Sequence, residues 1–192
     1  TNDQLRNACW GNESVAWAAG DDGVIVKSSD AGLTWQSINS GVTERFRGIA
    51  AIGANFAWGI GNDGMIRFTS NAGINWQPQL NPITDDLHDV QFLNEQTGFI
   101  GGSGASIIFT SDGGQNWISR STGILNGING IYFLDEFNGY AVSDAGAIYV
   151  TTNAGLSWPT QPSNTTNILN DVHFVTSTSG WVIGDIGTII HF

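Results

Sequence analysis

The sequence predicts an all-β fold, a single five-bladed β-propeller over residues 1–192 built from four-stranded antiparallel blades, the last lacking its outer strand. Three observations predict it. Columns of apolar and aromatic residues recur every 41 positions with no insertion or deletion: Leu5, Phe46, Leu87, Ile128 and Leu169; then Trp17, Trp58, Phe99, Tyr140 and Trp181; then Trp35, Trp76, Trp117 and Trp158. A fixed period near 40 with β-type patterning marks units that bury their faces only against neighbours. Finally, 26 glycines among 192 residues suit short strands joined by tight turns, and no apolar pattern at helical spacing outlasts one turn. The units run over about 1–41, 42–82, 83–123, 124–164 and 165–192.

The second unit shows the elements in order. Phe46–Ala51 reads as a first strand and Phe56–Ile60 as a second. Gly61-Asn62-Asp63-Gly64 makes a hairpin in which Gly and Asn tolerate positive φ. Met65–Phe68 is the third strand, and a fourth starts near Asn75 after the turn Thr69–Trp76. Proline cannot donate to a sheet ladder, so it is confined to edges, strand starts and loops. Pro78, Pro82, Pro159 and Pro162 all fall in or just after the fourth strand. That strand is therefore the outer edge, and the first strand lines the central channel. Phe192 aligns with Thr151, so the fifth unit stops before its outer strand, while Thr1–Gln4 align with a connecting loop. An edge left bare in this way is a template for pairing with another chain.

Composition narrows the function classes. Six Lys+Arg against 17 Asp+Glu give a net charge of −11, a field that repels phosphate backbones and anionic membrane surfaces. Nucleic-acid binding and membrane insertion are not expected. Lys27 is the single lysine, and the polar surface is Asn, Gln, Ser, Thr and Asp, a composition associated with exported proteins. Cys9 is the single cysteine, so neither an intrachain disulfide nor a cysteine-based zinc site is expected. The first residue is Thr1, consistent with a processed form or a segment of a longer chain, and Asn12 and Asn164 open glycosylation sequons.

The most specific motif is the turn before the fourth strand. Ser28-Ser29-Asp30-Ala31-Gly32-Leu33-Thr34-Trp35 matches S-x-D-x-G-x-T-W, and Thr69–Trp76, Thr110–Trp117 and Thr151–Trp158 are variants carrying Asn71, Asp112 and Asn153 at the acidic position. This resembles the Asp-box, or BNR-type, repeat. A short Asx side chain accepts hydrogen bonds from N–H groups of its own turn, Gly32, Gly73, Gly114 and Gly155 supply backbone freedom, and the tryptophan packs over the hairpin. A calcium or catalytic carboxylate is the alternative reading. Asn at two of four positions argues against it, because an amide holds a turn but cannot act as a base. With Gly180-Trp181-Val182-Ile183-Gly184-Asp185-Ile186-Gly187-Thr188-Ile189, the whole chain resembles the propeller family of photosystem II stability and assembly factors. That resemblance implies a propeller of BNR-type repeats. The assembly factors are similar to seven-bladed rings with a basic patch, whereas this chain has five units and is acidic, so a photosynthetic role is not carried over.

A propeller channel mouth is the default ligand site. The second position of each first strand supplies Arg6, Arg47, His88, Asn129 and Asn170, and the next level adds Asp89 and Asp171. These residues suit a small anion or a sugar hydroxyl array; solvated channel lining is the plainer reading. His88 and His173 with Asp89 and Asp171 form at most a weak metal set, so no metal and no cofactor are expected. Asp-box sialidases need an arginine triad, a tyrosine–glutamate pair and an acid. Here Tyr132, Tyr140 and Tyr149 sit in packing columns, and Glu13, Glu44, Glu95 and Glu136 sit in turns. Equal repeat lengths leave no lid over the mouth, so an enzyme is the lesser reading. The expectation is a noncatalytic exported or cell-surface scaffold, extracellular or in the cell envelope, that binds a protein partner or itself. A glycan-binding or glycosidase-like domain and a subunit joined through the open blade edge are the alternatives.

Overall fold

A computed structural model describes residues 4–121 and 123–192; the loop alignment made for Thr1–Asp3 lies outside them. Blade one comprises β1 (Leu5–Trp10), β2 (Ala16–Gly20), β3 (Ile25–Ser28) and β4 (Gln36–Ile38). Blade two comprises β5 (Phe46–Ile52), β6 (Phe56–Gly61), β7 (Ile66–Thr69) and β8 (Gln77–Pro78). Blade three comprises β9 (Leu87–Phe92), β10 (Gly98–Gly102), β11 (Ser106–Thr110) and β12 (Ile118–Ser119). Blade four comprises β13 (Ile128–Phe133), β14 (Gly139–Ser143), β15 (Ile148–Thr151) and β16 (Thr160–Gln161). Blade five comprises β17 (Leu169–Thr176), β18 (Ser179–Gly184) and β19 (Thr188–His191).

Every sheet is an antiparallel meander in chain order, four-stranded in the first four blades and three-stranded in the fifth. The fourth strands form the outer edges, as expected, with Pro78 inside β8 and Pro159 just before β16, and successive first strands pack side by side, β1 on β5, β5 on β9, β9 on β13 and β13 on β17. The cores lie between blades. One brings Trp58, Ile60 and Ile66 of blade two onto Leu87, Val90 and Phe92 of blade three. Another brings Phe99 and Ile107 of blade three onto Ile128, Ile131 and Phe133 of blade four. The sheets of blades two to four therefore bury both faces only by having neighbours, the condition set by the repeat.

The hairpin between second and third strands differs in detail from the expectation. Its centre is a 3-10 turn at Asp21–Gly23, Asn62–Gly64, Asp144–Gly146 and Asp185–Gly187. Positive φ falls on Asp63 (53°) and Gly64 (69°), not on Gly61 or Asn62. Gly61 is extended, at φ −164°. It must lack a side chain because a Cβ there would lie 2.1 Å from the Arg45 carbonyl oxygen. Ile186 takes the same left-handed position in blade five, at φ 55°, a costly conformation for a β-branched residue.

Candidate functional site

The second residues of the five first strands come together as the sequence places them. Arg6, Arg47, His88, Asn129 and Asn170 line one cavity of about 290 Å³. Each is tied back to the hairpin turn of its own blade. The Arg6 guanidinium donates to both Asp21 oxygens at 2.8 Å, and Arg47 Nε donates to Asn62 Oδ1 at 2.7 Å. His88 Nε2 lies 3.1 Å from Ser103 Oγ. Asn129 and Asn170 donate to Asp144 and Asp185 at 3.1 and 2.8 Å. This partner column was readable but missed: a short polar residue follows each mouth residue at constant spacing.

A second set of bonds links neighbouring blades. Arg47 Nη2 donates to Asp86 Oδ2 at 2.7 Å, His88 Nδ1 sits 2.9 Å from the Ile128 carbonyl, and Asn129 Nδ2 donates to the Leu169 carbonyl at 2.9 Å. Asp21 also takes Arg45 Nε at 2.8 Å, and its hydrogen bond from Arg6 holds its carboxyl below the usual range. Both mouth arginines are thus compensated by carboxylates. The mouth is a ring of satisfied donors with an acidic rim, and it offers hydrogen-bonding edges more than free positive charge.

Asp89 and Asp171 lie at the next level and act within the fold. Asp89 accepts from Val90 N at 2.9 Å and from Ile131 N of the next blade at 2.8 Å. Asp171 accepts from Val172 N at 2.7 Å. Burial pushes Asp89 up to about 6, helped by the Asp171 charge and opposed by its two N–H donors. Burial raises Asp171 as well. Among the described residues no three His, Cys, Asp or Glu side chains converge to hold a metal ion, and His173 packs edge-on against Tyr132 at 4.9 Å.

Among the described residues, catalytic groups do not assemble at the mouth. Glu13, Glu44, Glu95 and Glu136 are exposed in turns. The Tyr132 hydroxyl donates to the Phe174 carbonyl at 2.9 Å, Tyr140 stacks on Phe174 at 4.4 Å, and Tyr149 is buried. Burial pushes the Cys9 thiol up to about 12, far from the thiolate a nucleophile needs. No helix among the described residues is long and apolar enough to cross a membrane.

The four Asp-boxes are one structure. In the first, Ser28 Oγ donates to Asp30 Oδ1 at 2.7 Å and accepts Gly32 N at 2.9 Å, while Asp30 Oδ1 accepts Thr34 N at 2.8 Å. Thr69/Asn71/Gly73, Thr110/Asp112/Gly114 and Thr151/Asn153/Gly155 repeat these bonds. Gly32, Gly73, Gly114 and Gly155 all have φ between 76° and 88°. The tryptophans differ from expectation: beyond covering their hairpins, they reach the preceding blade. Trp117 Nε1 donates to Gln79 Oε1 at 3.3 Å and Trp158 Nε1 to the Arg120 carbonyl at 2.7 Å, and Trp76 packs edge-on against Trp17 at 5.9 Å. Trp35 stays exposed, and its Nε1 falls back on the Gly32 carbonyl at 3.1 Å. Because Asn71 and Asn153 hold the same turn, Asp112→Asn is expected to change the unfolding free energy by less than about 0.5 kcal/mol, and Asp112→Ala to cost about 1–2 kcal/mol. Urea titration of both variants checks this; equal losses would show that the carboxylate charge, not the acceptor, holds the turn.

Against known proteins, residues 68–141 match the family model described as photosynthesis system II assembly factor YCF48. None of the curated proteins matches the chain in sequence. Among solved structures it is similar to YCF48 bound to D1 peptide, with 18% identity and a TM-score of 0.80 over 100% of this chain and 63% of that one. It is also similar to YCF48 from Cyanidioschyzon merolae, with 17% identity, a TM-score of 0.56, and coverage of 100% and 96%. The WD40 β-propeller domain of Doa1 gives 13% identity and a TM-score of 0.80 over 99% of this chain and 64% of that one. The chain thus spans just under two thirds of the YCF48 chain that carries the peptide. The fold it shares with these structures is a β-propeller, and residues 68–141 are similar to the repeats of the photosystem II assembly factor family.

Proposed function

We propose that the chain is a noncatalytic, exported binding module that holds an extended segment of a protein partner at its channel mouth. The observation that carries this reading is the ring itself. Five blades deliver Arg6, Arg47, His88, Asn129 and Asn170 to one cavity, and the carboxylates beside it, Asp21 and Asp86, are engaged by Arg6 and Arg47. Backbone amides of an extended peptide can exchange hydrogen bonds with such a rim without the free charge that an anion site requires. The likeness to YCF48 bound to D1 peptide supports a peptide as the ligand class, and the acidic rim favours a polar or basic segment over an acidic one. Export is supported by composition alone: one lysine, one cysteine and a surface of Asn, Gln, Ser, Thr and Asp.

The test is selection of peptides from a displayed random library on the intact protein, followed by titration against Arg47→Gln and His88→Asn. Selected peptides are expected to lose at least about tenfold in affinity in each variant while the melting temperature holds. Peptides indifferent to both substitutions would overturn the reading. So would a glycan array and glycosidase panel that reported carbohydrate binding or turnover at the same cavity. Recovery of the native protein in the culture supernatant or cell envelope checks export; a wholly cytosolic pool would refute it.

A further inference from the structure

The joints between blades one and two, two and three, and three and four each set the third and fourth strands of one blade against the Asp-box turn of the next. At two of them a cation of the chain itself fills the niche so formed. Between blades one and two, Lys27 Nζ donates to the Ala54 and Ala72 carbonyls at 3.1 Å each and lies 4.6 Å over the Trp17 ring. Between blades three and four, the Arg120 guanidinium lies 4.9 Å over the Phe109 ring. The quadrupole of an aromatic face attracts a cation held in this way.

At the joint between blades two and three the two positions that supply these cations hold other residues. Phe68 stands where Lys27 stands in blade one, and Gln79 where Arg120 stands in blade three. Gln79 turns inward: its Nε2 donates to the Gly113 carbonyl at 2.8 Å and its Oε1 accepts Trp117 Nε1 at 3.3 Å. What remains is an open cavity of about 640 Å³, whose lining includes Phe56, Phe68, Gln79, Leu80, Glu95 and Gly113. Glu95 and Gly113 are the counterparts of Ala54 and Ala72, the residues that hold the lysine at the first joint.

The lining suits a cation from outside. Phe56 and Phe68 stack at 6.3 Å and are half-buried, a floor of two rings. The Glu95 side chain is exposed and lines the same cavity. Asp112 lines it too, but its oxygens are taken by Thr110 and Asn116 within the box. A planar guanidinium fits this set better than an ammonium, because it stacks on an aromatic face while its fork reaches a carboxylate. The net charge of −11 favours the approach of a basic segment.

We infer that the niche between blades two and three binds an arginine side chain of a protein partner, stacked on Phe56 and Phe68 and paired with Glu95, in the place that Lys27 and Arg120 fill at the adjoining joints. The site is separate from the mouth. Strand β7 runs from the turn Asn62–Gly64, which partners the mouth residue Arg47, to the box that starts at Thr69, so niche and mouth lie at opposite ends of that strand.

Amide shifts of the isotope-labelled intact protein, titrated with a capped glycyl-arginyl-glycine and with its citrulline analogue, test it. Citrulline keeps the shape of the side chain and loses the charge. The arginine peptide is expected to saturate in the millimolar range with shifts centred on Leu80, Glu95, Gly113 and Gln115, and the citrulline peptide to bind at least about tenfold more weakly. Phe68→Lys supplies from within the cation that blade one carries at this position, and is expected to abolish binding with the fold retained. Phe68→Leu, which keeps apolar packing and removes the ring, and Glu95→Gln are each expected to weaken binding at least about threefold. Equal affinity for the citrulline peptide, shifts confined to the mouth, or affinity unchanged in the Phe68 variants would each overturn the inference. So would a titration that fails to saturate by about 100 mM.

Discussion

Truncating Phe133 to Ala is expected to lower the unfolding free energy by about 3–5 kcal/mol, the range for an aromatic lost from a close-packed core. The ring is 1% exposed. It lies flat on Phe99 at 3.4 Å and meets Trp158 edge-on at 5.8 Å, so the deletion empties the centre of the joint between blades three and four. A further neighbour is a missing side chain: a Cβ on Gly139 would fall 2.6 Å from the Phe133 ring. The ring is pinned by Phe99 and Trp158 and cannot step aside, so Gly139→Ala is expected to cost about 1–3 kcal/mol by overpacking. Gly98 and Gly180 stand in the same relation to Phe92 and Phe174. Urea denaturation followed by tryptophan fluorescence measures both. A loss below about 1.5 kcal/mol for Phe133→Ala would mean that the joint relaxes around the hole, and that blades are held chiefly by their strand ladders.

The parts of this fold that repeat are the parts that can be read without coordinates. Constant spacing fixed the blade count, strand order and box turns, because each column averages the same physical demand over several copies. Mouth residues were legible for the same reason, since Arg6, Arg47, His88, Asn129 and Asn170 hold one position in five units. Their neutralisation was not, because it needs the bend that brings Asp21 or Asn62 back over the first strand. Single glycines were ambiguous: Gly61 exists for a close carbonyl approach alone and Gly64 for both a φ of 69° and the Ile83 carbonyl oxygen, 2.3 Å from where its Cβ would sit, and the different demands leave the same letter. The terminal faces were invisible for a deeper reason. Leu5 and Trp181 belong to columns that are largely buried elsewhere, so periodicity marks them as core, and only geometry shows that both are exposed.

Asp89→Asn is expected to stabilise the protein at pH 7, by about 1–3 kcal/mol, and to leave it unchanged near pH 4. Asp89 has a folded pKa of about 6, above the unfolded value near 3.9. The folded protein therefore binds this proton more tightly than the unfolded chain, and the stability so gained is lost as pH rises from about 4 through 6. Above that range the charge is a constant cost, imposed first by burial and then by Asp171. The amide is already tested at this position within the chain. Asn7 occupies the same column in blade one, and its Oδ1 accepts Ile49 N of the next blade at 3.2 Å, the bond that Asp89 makes to Ile131. Asp30, at about 2, and Asp112 and Asp135, also lowered, act with the opposite sign: each is held down mainly by side-chain and backbone hydrogen bonds, and their stabilisation is present above the ordinary carboxylate range and lost as pH falls below it. The two windows do not overlap, so the native protein should be most stable near pH 4–5 and the Asp89→Asn variant should hold a plateau from there upward. Urea melts at half-unit steps from pH 3 to 8 read this directly, and a variant that kept the native decline between pH 4 and 6 would assign that proton to another group.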